Sequence, residues 1–203
     1  MKYPKLRELK EALRSLFHRP YTTRFPYKPH LPFERFRGKP EFHLDDCVGC
    51  AACAQVCPTG AISFKDELKN NRATRILTLR LDICISCGQC QANCLTCRGI
   101  MLSREFDLAT TECREELKQE IEKEITLCEG CGGTVLPKDQ MQWVAQKLGP
   151  LCFSNTSLIL FYLKNRGLDL KEDTLVKKER EFQRSDRIKI LCPRCRREAV
   201  FKS

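Results

Sequence analysis

Two cysteine runs dominate the chemistry available to this chain. Cys47, Cys50, Cys53 and Cys57 stand at C-x-x-C-x-x-C-x-x-x-C spacing, and the pattern returns 37 residues later as Cys84, Cys87, Cys90 and Cys94. Three cysteines with two residues between neighbours can wrap one face of a cubane 4Fe-4S cluster. The fourth, beyond a three-residue gap, is turned away toward a second cluster. That crossing rule assigns Cys47, Cys50, Cys53 and Cys94 to cluster one, and Cys84, Cys87, Cys90 and Cys57 to cluster two. Gly49, Ala51, Ala52 and Gly88 are small enough to let backbone amides approach the sulfurs, where hydrogen bonds help set the potential. Structural zinc competes for any single C-x-x-C pair, but eight cysteines in two such runs favour iron and sulfide.

The second run departs from the first in one respect. Pro58 follows Cys57, whereas Leu95 follows Cys94, and Cys97 lies three residues beyond Cys94. Cys97 is therefore an alternative to Cys94 as the fourth ligand, although the repeat favours Cys94.

A second constellation closes the chain. Cys128-x-x-Cys131 and Cys192-x-x-Cys195 form two knuckles, in CEGCG and CPRC. Gly and Pro in them suit tight turns that aim amides at sulfur, and four thiolates make a closed tetrahedral site for one zinc ion, structural and redox-silent. A single iron held in the rubredoxin manner is the alternative. Cys113 and Cys152 have no partner in sequence, and an isolated cysteine is commonly a small apolar residue. His18, His30 and His43 are isolated too. No Ser/His/Asp or Cys/His arrangement, phosphate-cradling loop or nicotinamide fingerprint is present, so no catalytic residue is assigned.

The elements that must position these residues follow from spacing. Each half of the repeat reads as strand, cysteine loop, short helix and strand: Phe42 to Leu44, Ala51 to Val56 and Ala61 to Phe64, then Ile76 to Leu81, Gly88 to Asn93 and Gly99 to Leu102. Ahead of them, Leu6, Leu9, Leu13, Leu16 and Phe17 predict a basic amphipathic helix within Pro4 to Phe17, which packs on its own domain or lies on a membrane surface or partner. Pro20, Pro26, Pro29, Pro32 and Pro40 then exclude regular helix and favour an extended strap. Leu117, Ile121 and Ile125, at four-residue spacing in a charged stretch, predict a solvent-facing linker helix. Between the terminal knuckles, helices are expected over Pro137 to Leu148 and Ser157 to Asn165, stopped by Gly149-Pro150 and Gly167. The expected organisation is a docking arm over 1–40, a two-cluster domain over 41–109, a linker helix over 110–126 and a zinc-ribbon-like unit over 127–203, in the α+β class.

The net charge of +10 is concentrated in residues 1–40, which hold eleven Lys or Arg against three Glu. Without an aromatic stacking platform or a known reading motif, this arm does not predict nucleic-acid binding, which stays the least favoured function, as an iron-sulfur and zinc-ribbon module. No apolar run approaches the roughly 18 residues of a membrane span, and the charged N-terminus lacks the apolar block of a secretory signal. A cytoplasmic location is expected.

FRGKPEF ahead of CVGCAACAQVCPTGAISF, then CISCGQCQANC and REFDLATTECREEL, resembles the two-cluster subunit of respiratory complex I and its relatives in membrane-bound energy-converting hydrogenases. The terminal knuckles resemble the extension of the iron-sulfur subunit of formate hydrogenlyase and similar nickel-iron hydrogenases. The resemblance implies a bacterial ferredoxin-like fold and a non-catalytic subunit that relays electrons through its eight ferredoxin cysteines. Its implied partners are the hydrogenase small and large subunits, the membrane-arm subunits, and a second redox subunit or ferredoxin as donor. It would sit peripherally on the inner face of the cell membrane through those partners. An equivalent relay in a complex I-like quinone oxidoreductase, or another ferredoxin-linked complex, is the alternative.

Overall fold

The computed structural model describes residues 5–69, 72–111, 113–168 and 184–201. Within the expected C-terminal unit, residues 169–183 lie outside that description. Two compact units divide between Phe36 and Arg37.

In the first unit, α1 (Leu6–Phe17) forms where the apolar spacing predicts it and buries none of its residues. The Glu8 carboxylate accepts from the backbone N–H of Lys5, occupying one of the donors a helix start leaves free. The proline-bearing stretch after it forms turns and extended backbone.

The boundary lies earlier than residue 40 because 37–40 are bound into the second unit. Gly38 N–H donates to the Ser103 carbonyl at 3.0 Å, and Lys39 N–H to the Glu105 carbonyl at 2.9 Å. These bonds extend an antiparallel pair, β1 (Pro40–Phe42) with β4 (Ile100–Leu102). Between them run α2 (Ala52–Gln55), β2 (Ile62–Lys69), β3 (Arg72–Arg80) and α3 (Gln89–Ala92). The two halves thus close on each other twice, through β1 with β4 and through β2 with β3. The β2–β3 hairpin runs well beyond the short strands that the sequence suggests. Charged residues interrupt its outer half, which is not fully covered, and so hide its alternation.

Residues 110–126 do not form a linker helix. A short 3-10 turn at Arg114–Leu117 leads into β5 (Lys118–Leu127), paired with β3 from Ala73 opposite Ile125 to Arg80 opposite Lys118. A four-residue spacing is close to one helical turn, yet it is also two full strand repeats. Ile121 and Ile125 satisfy both patterns, and the free edge of β3, to which β5 hydrogen-bonds, decides for the strand. After β6 (Thr134–Pro137), the four-stranded sheet has the order β2-β3-β5-β6. The C-terminal part is therefore continuous with the ferredoxin-like part through one sheet.

Leu77 and Leu79 of β3 are fully buried with Ile62, Ile100 and Ile121, beside the cysteine loops. Each such leucine contributes about 1.5–3 kcal/mol by leaving water. A second cluster gathers Met141, Cys152, Leu158, Phe161 and Ile190 around α4 (Lys138–Leu148) and α5 (Thr156–Asn165). Cys152 is thus a core residue. The last element, α6 (Pro193–Phe201), packs Ala199 against Cys128, Leu191 and Cys195.

Candidate iron-sulfur and metal centres

Every left-handed residue in the first cysteine run has a counterpart 37 residues later. Gly49 and Ser86 lie at φ 70° and 50°, Ala51 and Gly88 at 60° and 81°, and Gly60 and Cys97 at 66° and 61°. These turns make the backbone coil around each group of thiols, and α2 and α3 begin directly after the second of them. The repeat therefore acts on backbone geometry as well as on ligand spacing.

Two hollows result. One, of about 310 Å³, is lined by Cys47, Cys50, Cys53 and Cys94, with Leu77 and Ile100 behind them. The other, of about 330 Å³, is lined by Cys57, Cys84, Cys87 and Cys90, with Ile62 and Leu102. Each therefore takes three cysteines from one run and the fourth from the other. Cys97 is exposed and lines neither, and Cys113 is also exposed. Four convergent thiols in a mainly apolar hollow are the donor set that a cubane cluster requires.

Five of these thiols are shifted, in two opposite directions. Burial pushes Cys53 up to about 12, and raises Cys47 and Cys90 for the same reason. Burial also opposes ionisation of the two crossing cysteines, but nearby donors outweigh it. Cys57 is brought below its ordinary value by the Ile62 amide and the Thr59 hydroxyl, and Cys94 by the Thr96 hydroxyl and amide. Thr59 Oγ1 lies 3.8 Å from Cys57 Sγ, and Thr96 Oγ1 lies 3.5 Å from Cys94 Sγ, each placed to donate to a thiolate.

The loops are held by cations that the sequence reading did not single out. Arg75 of β3 donates Nη1 to the Gly49 carbonyl at 3.1 Å while its Nε and Nη2 grip both Asp66 oxygens at 2.7 and 2.9 Å. Lys123 of β5 donates to the Leu44 carbonyl and to Asp139, each at 2.8 Å. At the second loop, Arg37 Nη1 donates to the Cys87 carbonyl at 3.2 Å. No local signal marked them, because the inward rows that hold Arg75 and Lys123 exist only once β3 and β5 pair as strands.

At the C-terminal end, one ligand atom from each of Cys128, Cys131, Cys192 and Cys195 lies within 4.8 Å of the others. Cys131 and Cys192 sulfurs are 3.8 Å apart. A tetrahedral site with metal–sulfur bonds of about 2.3 Å places its sulfurs about 3.8 Å apart, so the quartet has the dimensions for one ion. The Cys192 amide donates to Cys128 Sγ at 3.2 Å, the Gly133 amide to Cys131 Sγ at 3.4 Å and the Cys195 amide to Cys192 Sγ at 3.5 Å. Burial and the adjoining thiols push Cys195 up, whereas at Cys192 the Cys195 amide and the adjoining thiols together outweigh burial and lower it. Arg196 secures the fold around the quartet by donating to the carbonyls of Arg187 and Lys189 and to the Ser157 hydroxyl.

Residues 46–97 match the 4Fe-4S dicluster domain family. The chain is 30% identical over 101 residues to NAD(P)H-quinone oxidoreductase subunit I of Gloeobacter violaceus, covering 48% of this chain and 47% of that one. It is 35% identical over 103 residues to the chloroplastic subunit I of Chloranthus spicatus, covering 47% and 54%. A chain in the structure of the membrane-bound sulfane sulfur reductase, an archaeal respiratory membrane complex, is 28% identical with a TM-score of 0.41, covering 58% of this chain and 62% of that one. The chain spans about half the length of the curated relatives it matches. Among the described residues, no helix is long and apolar enough to cross a membrane. Residues 46–97 thus form a ferredoxin-like 4Fe-4S dicluster domain.

Proposed function

We propose that the chain is a non-catalytic electron-transfer subunit of a membrane-associated oxidoreductase complex. The observation that carries this reading is the crossed lining of the two hollows, three cysteines from one run with the fourth of the other. Cys47, Cys50, Cys53 and Cys94 hold one 4Fe-4S cluster, and Cys84, Cys87, Cys90 and Cys57 hold the second. When bound, such clusters accept and release one electron at a time. The chain's own contribution is to orient the thiolates, place hydroxyl and amide donors at Cys57 and Cys94, and back each site with apolar side chains. Cys128, Cys131, Cys192 and Cys195 hold one zinc ion, a reading supported by their closed set of four thiols without an open position.

Within this reading, the partner is the nickel-iron hydrogenase module of a formate hydrogenlyase-type complex, with a further redox subunit or ferredoxin as donor and membrane-arm subunits beneath. The terminal quartet supports this choice, because it lies outside the matched dicluster domain and resembles the hydrogenase extension. A second reading, a relay in a complex I-like quinone oxidoreductase, is favoured by the names of the curated relatives.

Anaerobic metal and sulfide analysis with EPR of the reduced chain tests the cluster assignment. About eight iron, eight sulfide and one zinc per chain are expected, with two reduced-cubane signals. Four or fewer irons would sink it. Isolation of the native complex on a tagged copy separates the two partner readings: hydrogen reduces the clusters in the first, and quinone oxidises them in the second.

A further inference from the structure

Across the middle of the sheet, four charged residues form a row: Asp66 on β2, Arg75 on β3, Lys123 on β5 and Asp139 in the first turn of α4. Arg75 stands directly opposite Lys123, on the inward side of the sheet, between the apolar pairs Ala73–Ile125 and Leu77–Ile121. Two like charges directly opposite each other on adjacent strands destabilise a sheet. Here both cations also displace apolar contacts on a core-facing row. Each is paired with an acid at one end of the row, and each gives a further donor to the loop that carries the first cysteines, Arg75 at Gly49 and Lys123 at Leu44. The fit against that loop is close. A Cβ added at Gly49 would lie 3.1 Å from Lys123 side-chain carbons and 3.3 Å from Pro137.

Among the described residues no comparable pair of cations faces the second hollow, whose loop receives a bond from Arg37, an exposed side chain. The Lys123 side chain is 13% exposed, so solvent screens its charge weakly, whereas its partner Asp139 is 51% exposed and is screened more; Asp66, which grips Arg75, is only 21% exposed and offsets that cation. Reduction adds one negative charge to a cluster, and a poorly screened cation beside its loop favours that state.

We infer that Arg75 and Lys123 are positioning residues for the Cys47–Cys50 loop and that Lys123 raises the reduction potential of the centre held by Cys47, Cys50, Cys53 and Cys94, leaving the other centre unaffected. This rests on the two-cluster reading above. It assigns to the C-terminal strand β5, through Lys123, a part in the redox behaviour of the ferredoxin-like domain.

The test is an anaerobic redox titration of the full chain, followed by EPR at both centres. Lys123→Gln should shift the first centre's reduction equilibrium about tenfold against reduction, a fall of about 59 mV for one electron, with the second centre unmoved. Lys123→Arg should restore the wild-type midpoint. Asp139→Asn, which removes the counter-charge, should shift the first midpoint upward, a change of sign that simple loosening of the loop would not produce. If Lys123→Gln sheds the first centre, the Asp139→Asn titration decides, with a rise supporting the inference and no rise overturning it. An unmoved first midpoint in Lys123→Gln, or equal movement of both midpoints, overturns the inference alone. A wild-type chain with a single reducible centre overturns the two-cluster reading and this inference together.

Discussion

Cys97 occupies in the second cysteine run the backbone position that Gly60 occupies in the first. The two lie 37 residues apart and share left-handed φ values of 61° and 66°. The loop after Cys97 is one residue longer, reaching Ile100 through Arg98 and Gly99, whereas Gly60 reaches Ile62 through Ala61 alone. Cys97 thus marks a turn position in the repeat, and Cys94 is the cysteine that the turn leaves facing the hollow.

This separates the two candidates for the fourth ligand. Cys94→Ser should lose the cluster at the first hollow and about half the iron, while Cys97→Ser keeps both. Cys97→Gly should leave iron unchanged and stabilise the loop by about 1 kcal/mol, because a side chain at left-handed φ is strained. Iron and sulfide counts per chain check the first pair, and anaerobic denaturant titration checks the last. Full iron in Cys94→Ser would show that another residue completes the site.

Gly38 is required for a steric reason. An added Cβ there would lie 2.2 Å from the Glu105 carbonyl oxygen and 2.7 Å from that of Ser103, both rigid backbone atoms. Gly38→Ala should push the chain off β4 and cost roughly 1–3 kcal/mol or more. It should also loosen Arg37 from the second cysteine loop. Gly60→Ala meets open space and should cost only about 1 kcal/mol through its φ. Unfolding midpoints of the two variants should therefore separate, and equal midpoints would refute the clash.

The Asp66–Arg75 pair carries a pH signature. The hydrogen bonds from Arg75 hold the Asp66 carboxyl below its usual value. A carboxyl lowered by folding contributes stability that is complete above its unfolded pKa of about 3.9 and is lost as pH falls through the folded value. Asp66→Asn should therefore cost about 1–3 kcal/mol at neutral pH, as expected for charged hydrogen bonds. That cost should stay constant between about pH 5 and 8. Stability curves of the two proteins that converge within this range would contradict the pairing.

Truncation of the arm should be tolerated at the boundary between Phe36 and Arg37. Leu6, Leu9, Leu13, Leu16 and Phe17 of α1 are all exposed, whereas Gly38 and Lys39 are bonded to residues 103 and 105. Removal of residues 1–36 should leave iron, sulfide and both EPR signals intact while abolishing co-purification with the rest of the complex. Removal of 1–40 should also weaken the β1–β4 pair. A complex assembled at wild-type yield around the 1–36 deletion would remove the docking role of the arm.

Local spacing alone identified the cysteine runs, their repeat, α1, α4, α5 and the terminal knuckles, because ligand geometry and helical periodicity are short-range properties. Thiols at fixed intervals and helix ends at Gly149 and Gly167 need no distant partner to be read. What spacing left undecided was every element whose identity depends on what lies beside it. Ile121 and Ile125 fit a helix and a strand equally, and only the unpaired edge of β3 made β5 a strand. Arg75 and Lys123 read as ordinary surface charges until the sheet set them opposite each other and brought the first cysteine loop over both. The sequence by itself determined which atoms could hold metal. Tertiary structure decided which charges stand against them, because hydrogen bonding between strands far apart in the chain and the packing of a loop on their shared face are both long-range.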